Sequence, residues 1–172
     1  MISKTLQDAI NQQIVNELYA SNAYLAVASY MDAEDLKVLS AHFFEQSHEE
    51  RTHALKLLKY LLEVKGCPEV GAIPEPPRAF KSVEQAVELS LKQEEVTTKQ
   101  INDLMSMAHD ERDYATISFL KWFVDEQVEE LASMNELLGL VKRAGDQHLL
   151  LVEDRLTRRG LIASDSAPKS GD

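Results

Sequence analysis

The sequence predicts an all-α chain: four long helices in one bundle, an end-to-end crossover between the second and third, and a short fifth helix. Three observations predict it. Glycine and proline are absent from Met1 to Lys65 and again from Arg78 to Leu138. Within both blocks apolar residues recur every three or four positions, the period of a helix face. Between the blocks, Gly66 to Pro77 holds four of the five prolines, which a helix interior does not tolerate.

Each element follows from local signals. Helix α1 is expected over 4–32, ended by Asp32-Ala33-Glu34-Asp35, with Asp35 placed to cap α2 over 36–65. Ser82-x-x-Gln85 is a capping box opening α3, expected over 83–109. His109 to Asp113 breaks the second block, and α4 is expected over 113–143, tolerating Gly139. Gly145-Asp146 then starts α5, expected over 147–158. Residues 1–160 are expected to form one domain, and 161–172, rich in Ser, Asp, Pro, Lys and Gly, a flexible tail. Helices of about 28 residues are about 42 Å long. The linker 66–82 reaches about 56 Å when extended, enough to run the length of a bundle. Pairs α1–α2 and α3–α4 are therefore expected as two hairpins joined end to end.

Each long helix carries one acid on its apolar stripe. In α1 the stripe reads Ile10, Ile14, Glu17, Ser21, Tyr24, Ala28, Met31. In α2 it reads Phe43, Ser47, Glu50, Ala54, Leu57, Leu61, Val64. In α3 it is Val87, Leu91, Glu94, Thr98, Ile101, Met105, Ala108, and in α4 Leu120, Phe123, Gln127, Glu130, Met134, Leu137, Val141. No Lys or Arg stands on any stripe to pair with the acids. Four stripes meeting on one axis bring Glu17, Glu50, Glu94 and Glu130 to one level, where unpartnered carboxylates are costly. Two divalent cations remove that cost. Carboxylates plus one imidazole, His53, suit Fe(II) or Mn(II) rather than ions that want thiolate. Glu50-x-x-His53 puts both groups on one face, with His53 on one metal and Glu50 shared. Two such metals can each give an electron to a dioxygen- or peroxide-type oxidant, and Tyr24 on the same stripe can bond a ligand or supply an electron.

Composition narrows the field. The 172 residues are 44% hydrophobic and carry a net charge of −11, which disfavours nucleic acid and anionic membrane as partners. Cys67 is the only cysteine, so no disulfide within the chain and no thiolate metal motif is expected. MISKTLQDAI lacks a signal pattern and no run of about 18 apolar residues occurs, so no membrane association and a cytoplasmic location are expected.

Together, Glu17, Tyr24, Glu50-Arg51-Thr52-His53, Glu94 and Asp125-Glu126-Gln127-Val128-Glu129-Glu130 resemble the non-haem ferritins of the bacterial type, up to about residue 160. The resemblance implies a ferritin-like four-helix bundle and a ferroxidase. In it Glu17, Glu50 and His53 would hold one iron, and Glu50, Glu94 and Glu130 the second, with Gln127 beside the bridging ligands. Glu49, Glu126 and Glu129 match a third iron position of that branch, though a solvated acidic face reads equally from the residues. It implies a homo-oligomeric shell of twenty-four subunits that oxidises Fe(II) with dioxygen or hydrogen peroxide and stores the ferric mineral. A second apolar line, Leu18 and Leu25 on α1 with Leu55, Leu58 and Leu62 on α2, agrees with subunit contacts.

The departures also speak. Arg51 stands where haem-binding relatives carry methionine, and α4 has Gln127-x-x-Glu130 rather than a second Glu-x-x-His, so haem is not expected. Ile117 and Leu120 replace the acidic pair that lines the iron pore of animal ferritins; Asp110, Glu111 and Asp113 are an alternative route or simply turn residues. His42, His48, His109 and His148 match no ligand position. Two other functions fit the residues, a di-iron oxidase or peroxidase without storage, and a structural shell subunit with a relic site. Oligomer size separates the first from a ferritin, and aerobic Fe(II) oxidation the second.

Overall fold

The computed structural model describes residues 2–158. Five α-helices follow one another, α1 Lys4–Ala33, α2 Lys37–Glu63, α3 Val83–Asp110, α4 Tyr114–Ala144 and α5 Leu149–Arg158, with a 3-10 turn at Asp146–His148 before α5. No strand occurs among the described residues, and none of their helices is long and apolar enough to cross a membrane. The tail expected at 161–172 lies outside the described residues.

Side chains cap three of the helix starts, and the sequence predicts the one at Ser82. Ser3 Oγ accepts from Leu6 N at 3.0 Å, Ser82 Oγ from Gln85 N at 3.1 Å and Asp113 Oδ1 from Thr116 N at 3.1 Å. Gln85 reaches back to Lys81 N at 2.7 Å, one residue before the position an ideal capping box serves. The start of α2 corrects the sequence reading. Asp35 takes a left-handed conformation at φ 59, and Leu36 stands at the cap without a side-chain bond. The free amides of that first turn are served from the far end of the chain: Glu153 on α5 accepts from Val38 N at 2.7 Å and Leu39 N at 3.0 Å. A buried carboxylate at a helix N-terminus meets both the unpaired N–H groups and the positive end of the dipole.

Two antiparallel hairpins pack together. Ser40 Oγ donates to Ala28 O at 3.0 Å and Ser21 Oγ to Ser47 O at 2.8 Å across α1 and α2. Lys142 of α4 pairs with Glu88 of α3 at 2.7 Å. The crossover runs the bundle's length as expected. At one end Gln7 Oε1 accepts from Cys67 N at 2.9 Å, and Asn11 bonds both Cys67 O and Glu69 N. At the other end Phe80 packs on Tyr30 with ring centres 5.3 Å apart.

The apolar core is divided in two. One cluster gathers Val27, Met31, Leu39, Phe43, Val87 and Leu137 with Val152 and Leu156 of α5. The other gathers Ile10, Ile14, Leu57, Leu61, Ile101 and Phe123. In that second cluster Tyr60 stacks on Phe119 at 3.9 Å and shares a 2.7 Å hydrogen bond with Thr116. Between the clusters, at the stripe positions that bear acids, lies a polar layer.

Candidate metal centre

The stripes deliver all four acids to the interior: Glu17 is 1% exposed, Glu50 2%, Glu94 1% and Glu130 9%. Each sits near the middle of its helix, one or two turns from the nearest apolar cluster. His53 and Gln127 are buried in the same layer, and Tyr24 closes it towards the α5 end. The sequence-predicted set of seven converges.

Their ligand atoms cluster into overlapping triads. One atom each from Glu17, Glu50 and His53 lie within 4.8 Å of one another, and the same holds for Glu50, Glu94 and Glu130. Glu50 belongs to both, as a shared ligand must. His53 Nδ1 stands 3.6 Å from Glu50 and 3.8 Å from Glu130. Trp122 and Phe123 meet its ring edge-on at 5.4 and 5.9 Å, fixing the imidazole plane; Lys56 lies 3.4 Å over the Trp122 ring. Tyr24 donates to Glu94, and Gln127 donates to Glu130 and, at 3.4 Å, to Glu94. Thr98 donates to Gln127 Oε1 at 2.8 Å, which turns the Gln127 NH2 towards the acids.

Electrostatics show what the layer lacks. Burial, reinforced by Glu50, raises the Glu17 carboxyl far above its usual range. Burial, then Glu94 and Glu130, does the same to Glu50. Burial raises Glu94 against the opposing bonds from Tyr24 and Gln127, and burial with Glu94 lifts Glu130 to about 9. Burial, then Glu94, also raises the Tyr24 phenol. Burial thus favours the protonated carboxyls, and a bound cation would favour the ionised ones. Of three buried side-chain oxygens without a hydrogen-bond partner among the described residues, two are in this layer, Glu17 Oε2 and Glu50 Oε2, and the third is Gln100 Oε1. Glu17 and Glu50 both belong to the triad that includes His53, and a bound cation is a partner such atoms fit.

The neighbouring acids are arranged differently. Glu126 joins His53 and Glu130 in a third triad. Glu49 and Glu129 are exposed beside it, and Gln46 bonds Glu49. At the other suggested route, Asp113 is used as the α4 cap and Glu111 accepts from Ser3 Oγ at 2.8 Å, while Leu120 is core. His42 is buried against Phe43 and its pKa falls to about 4 through burial; His48, His109 and His148 are exposed. Sequence reasoning passed over Gln13, which donates to Glu17 Oε1 at 2.9 Å, over the ring-orienting Trp122, and over Thr98 as a bonding group. The i, i+4 spacing of Gln13 and Glu17 was the available signal.

The chain as a whole is similar to known proteins. The family model of the ferritin-like domain matches residues 7–144. A bacterial non-heme ferritin of Staphylococcus aureus (strain MRSA252) is 38% identical over 161 residues, covering 92% of this chain and 97% of that protein. One from Staphylococcus saprophyticus is 36% identical over 167 residues, covering 96% and 100%. Among solved structures, an open-pore ferritin from the archaeon Archaeoglobus fulgidus superposes with a TM-score of 0.88 at 36% identity, covering 91% of this chain and 98% of that one. With the ferritin-like domain matched over residues 7–144 and relatives 36–38% identical across nearly the whole length, this chain belongs to the ferritin family.

Proposed function

We propose that the polar layer is a ferroxidase centre and that the protein stores the iron it oxidises. The single observation that carries this is the pair of orphaned oxygens, Glu17 Oε2 and Glu50 Oε2, inside overlapping triads that share Glu50. Glu17, Glu50 and His53 receive one Fe(II), and Glu50, Glu94 and Glu130 the second. Each ion gives up one electron. With dioxygen, the two electrons and two protons make hydrogen peroxide; with peroxide, the same electrons and protons make two waters. Carboxyl protons displaced as the ions bind are a local source of that acid. Tyr24 and Gln127 hold the second site's carboxylates in place by hydrogen bonds.

Family membership supports storage of the ferric product, and we assign the protein to a hollow shell of twenty-four subunits in the cytoplasm. Leu25, Leu55 and Leu62, between 41% and 58% exposed, supply apolar surface for subunit contact, and a lone exposed thiol at Cys67 suits a reducing compartment. A third iron position would use Glu126 with Glu49 and Glu129, an ion handed from His53 and Glu130 outward.

Aerobic addition of Fe(II), followed by the rise of ferric absorbance, tests the centre. Glu50→Ala removes the shared ligand, so we expect initial oxidation to slow more than about 100-fold, since changes outside the ligand set alone cost about 10–100-fold. Assembly should be unaffected. Wild-type oxidation by the variant would place the chemistry elsewhere.

A further inference from the structure

Three amides on α1 form a directional chain that ends on Glu17. Gln12 Nε2 donates to Asn16 Oδ1 at 3.0 Å, Asn16 Nδ2 to Gln13 Oε1 at 3.1 Å, and Gln13 Nε2 to Glu17 Oε1 at 2.9 Å. Each donor is separated from its acceptor by one helical turn, and the chain zigzags along one face of α1 from an exposed residue to a buried one. Its direction is dictated by chemistry. A ligating carboxylate only accepts, so Gln13 must offer it NH2; its carbonyl is then turned away and needs a donor, which Asn16 supplies. Gln13 is itself 2% exposed, so its amide is shielded from bulk solvent. Glu17 Oε1 is thereby occupied, and the oxygen left without a partner is Oε2.

We propose that Gln13 and Asn16 are positioning residues for the first cation: they hold Glu17 in one rotamer with Oε1 engaged, so that Oε2 alone is presented to the ion. The inference rests on the reading of Glu17 as a ligand. Across the layer, Thr98 and Gln127 form the same device, a glutamine whose carbonyl is pinned by a neighbour so that its NH2 faces acids. The two differ in origin, since Thr98 and Gln127 sit on different helices whereas the Gln13 device lies wholly within α1.

The test is calorimetric titration of the assembled, iron-free protein with Co(II), with the d–d absorption of the bound ion as a second readout. Gln13→Leu keeps the volume and removes the donor. One class of Co(II) site should weaken about tenfold, the range for partners behind a ligand, with an altered d–d band, an unchanged second class and an unchanged melting temperature. Asn16→Ala keeps Gln13 but frees its carbonyl, and should weaken the same class by a smaller factor; it also serves if Gln13→Leu does not fold. Glu17→Ala is the reference and should abolish that class. If Glu17→Ala loses a site while Gln13→Leu and Asn16→Ala titrate like wild type, the positioning role is wrong and the centre stands. Equal weakening of both classes with a fall in melting temperature makes Gln13 a packing residue only and also overturns the proposal. Wild-type titration by Glu17→Ala removes the reading of the centre on which it rests.

Discussion

The two halves of the polar layer are built from similar residues and left in different states. On the α3–α4 side, Glu94 and Glu130 are engaged by Tyr24 and Gln127. On the α1–α2 side, Glu17 is held by one oxygen only, and both orphaned oxygens of the layer belong to Glu17 and Glu50. The only imidazole also belongs to that side. One half is thus engaged by donors, Tyr24 of α1 among them, while the other keeps two buried oxygens without one. Buried polar groups tolerate the first state and not the second, so the α1–α2 half is where a cation gains most.

Two variants break or sharpen that contrast most directly. His53→Ala takes a ligand from the unsatisfied half, and initial Fe(II) oxidation is expected to fall about 100-fold. Gln127→Leu only frees the acids of the satisfied half and should cost about tenfold, a loss typical for a partner behind a ligand. Stopped-flow oxidation of the two variants compares them directly, and a larger loss for Gln127→Leu would reverse the ranking of the halves.

The next effect is on stability. Glu130 has a folded pKa of about 9 against an ordinary 4.5, so between those values the folded state binds the extra proton. Its contribution is present in full below about pH 4.5 and is lost as pH rises towards 9, on the order of several kcal/mol for the metal-free protein. The midpoint of thermal unfolding without metal should fall across that window. Glu130→Gln should flatten the decline, and added Zn(II) should offset it while releasing protons. A metal-free midpoint that climbs from pH 5 to 9 would contradict the sign.

The smallest effect lies outside the layer. Glu153→Ala removes both side-chain bonds to the first turn of α2 and should cost about 1–2 kcal/mol, the usual worth of a cap. Faster hydrogen exchange at the Val38 and Leu39 amides, with those of Leu6 and Gln85 unchanged, locates the loss.

These contrasts also mark what a sequence can disclose. The stripes on α1 to α4 placed Glu17, Glu50, Glu94 and Glu130 at one level because helical period is local and the acids interrupt it visibly. The length of 66–82 disclosed the crossover because a chain's reach is fixed by covalent geometry. Asp35 was misread for the complementary reason. Its composition suits a cap, but the amides it would serve already belong to Glu153, more than a hundred residues away, and no local signal carries that pairing. Gln13 was hidden differently: a glutamine on a helix is ordinarily solvated, and only the packed layer shows that this one is not. Likewise Thr98 reads as a small stripe residue until Gln127 is seen beside it.

The bond between Glu153 and the start of α2 has a consequence for biosynthesis. Chains emerge from the ribosome from the amino end, and their early parts fold first. The first hairpin is complete long before residue 153 exists, yet its turn holds two amides and apolar Leu36 and Leu39 that await a late arrival. Until the fifth helix is translated, that rim stays raw, and a chain released early carries it exposed to chaperones and proteases.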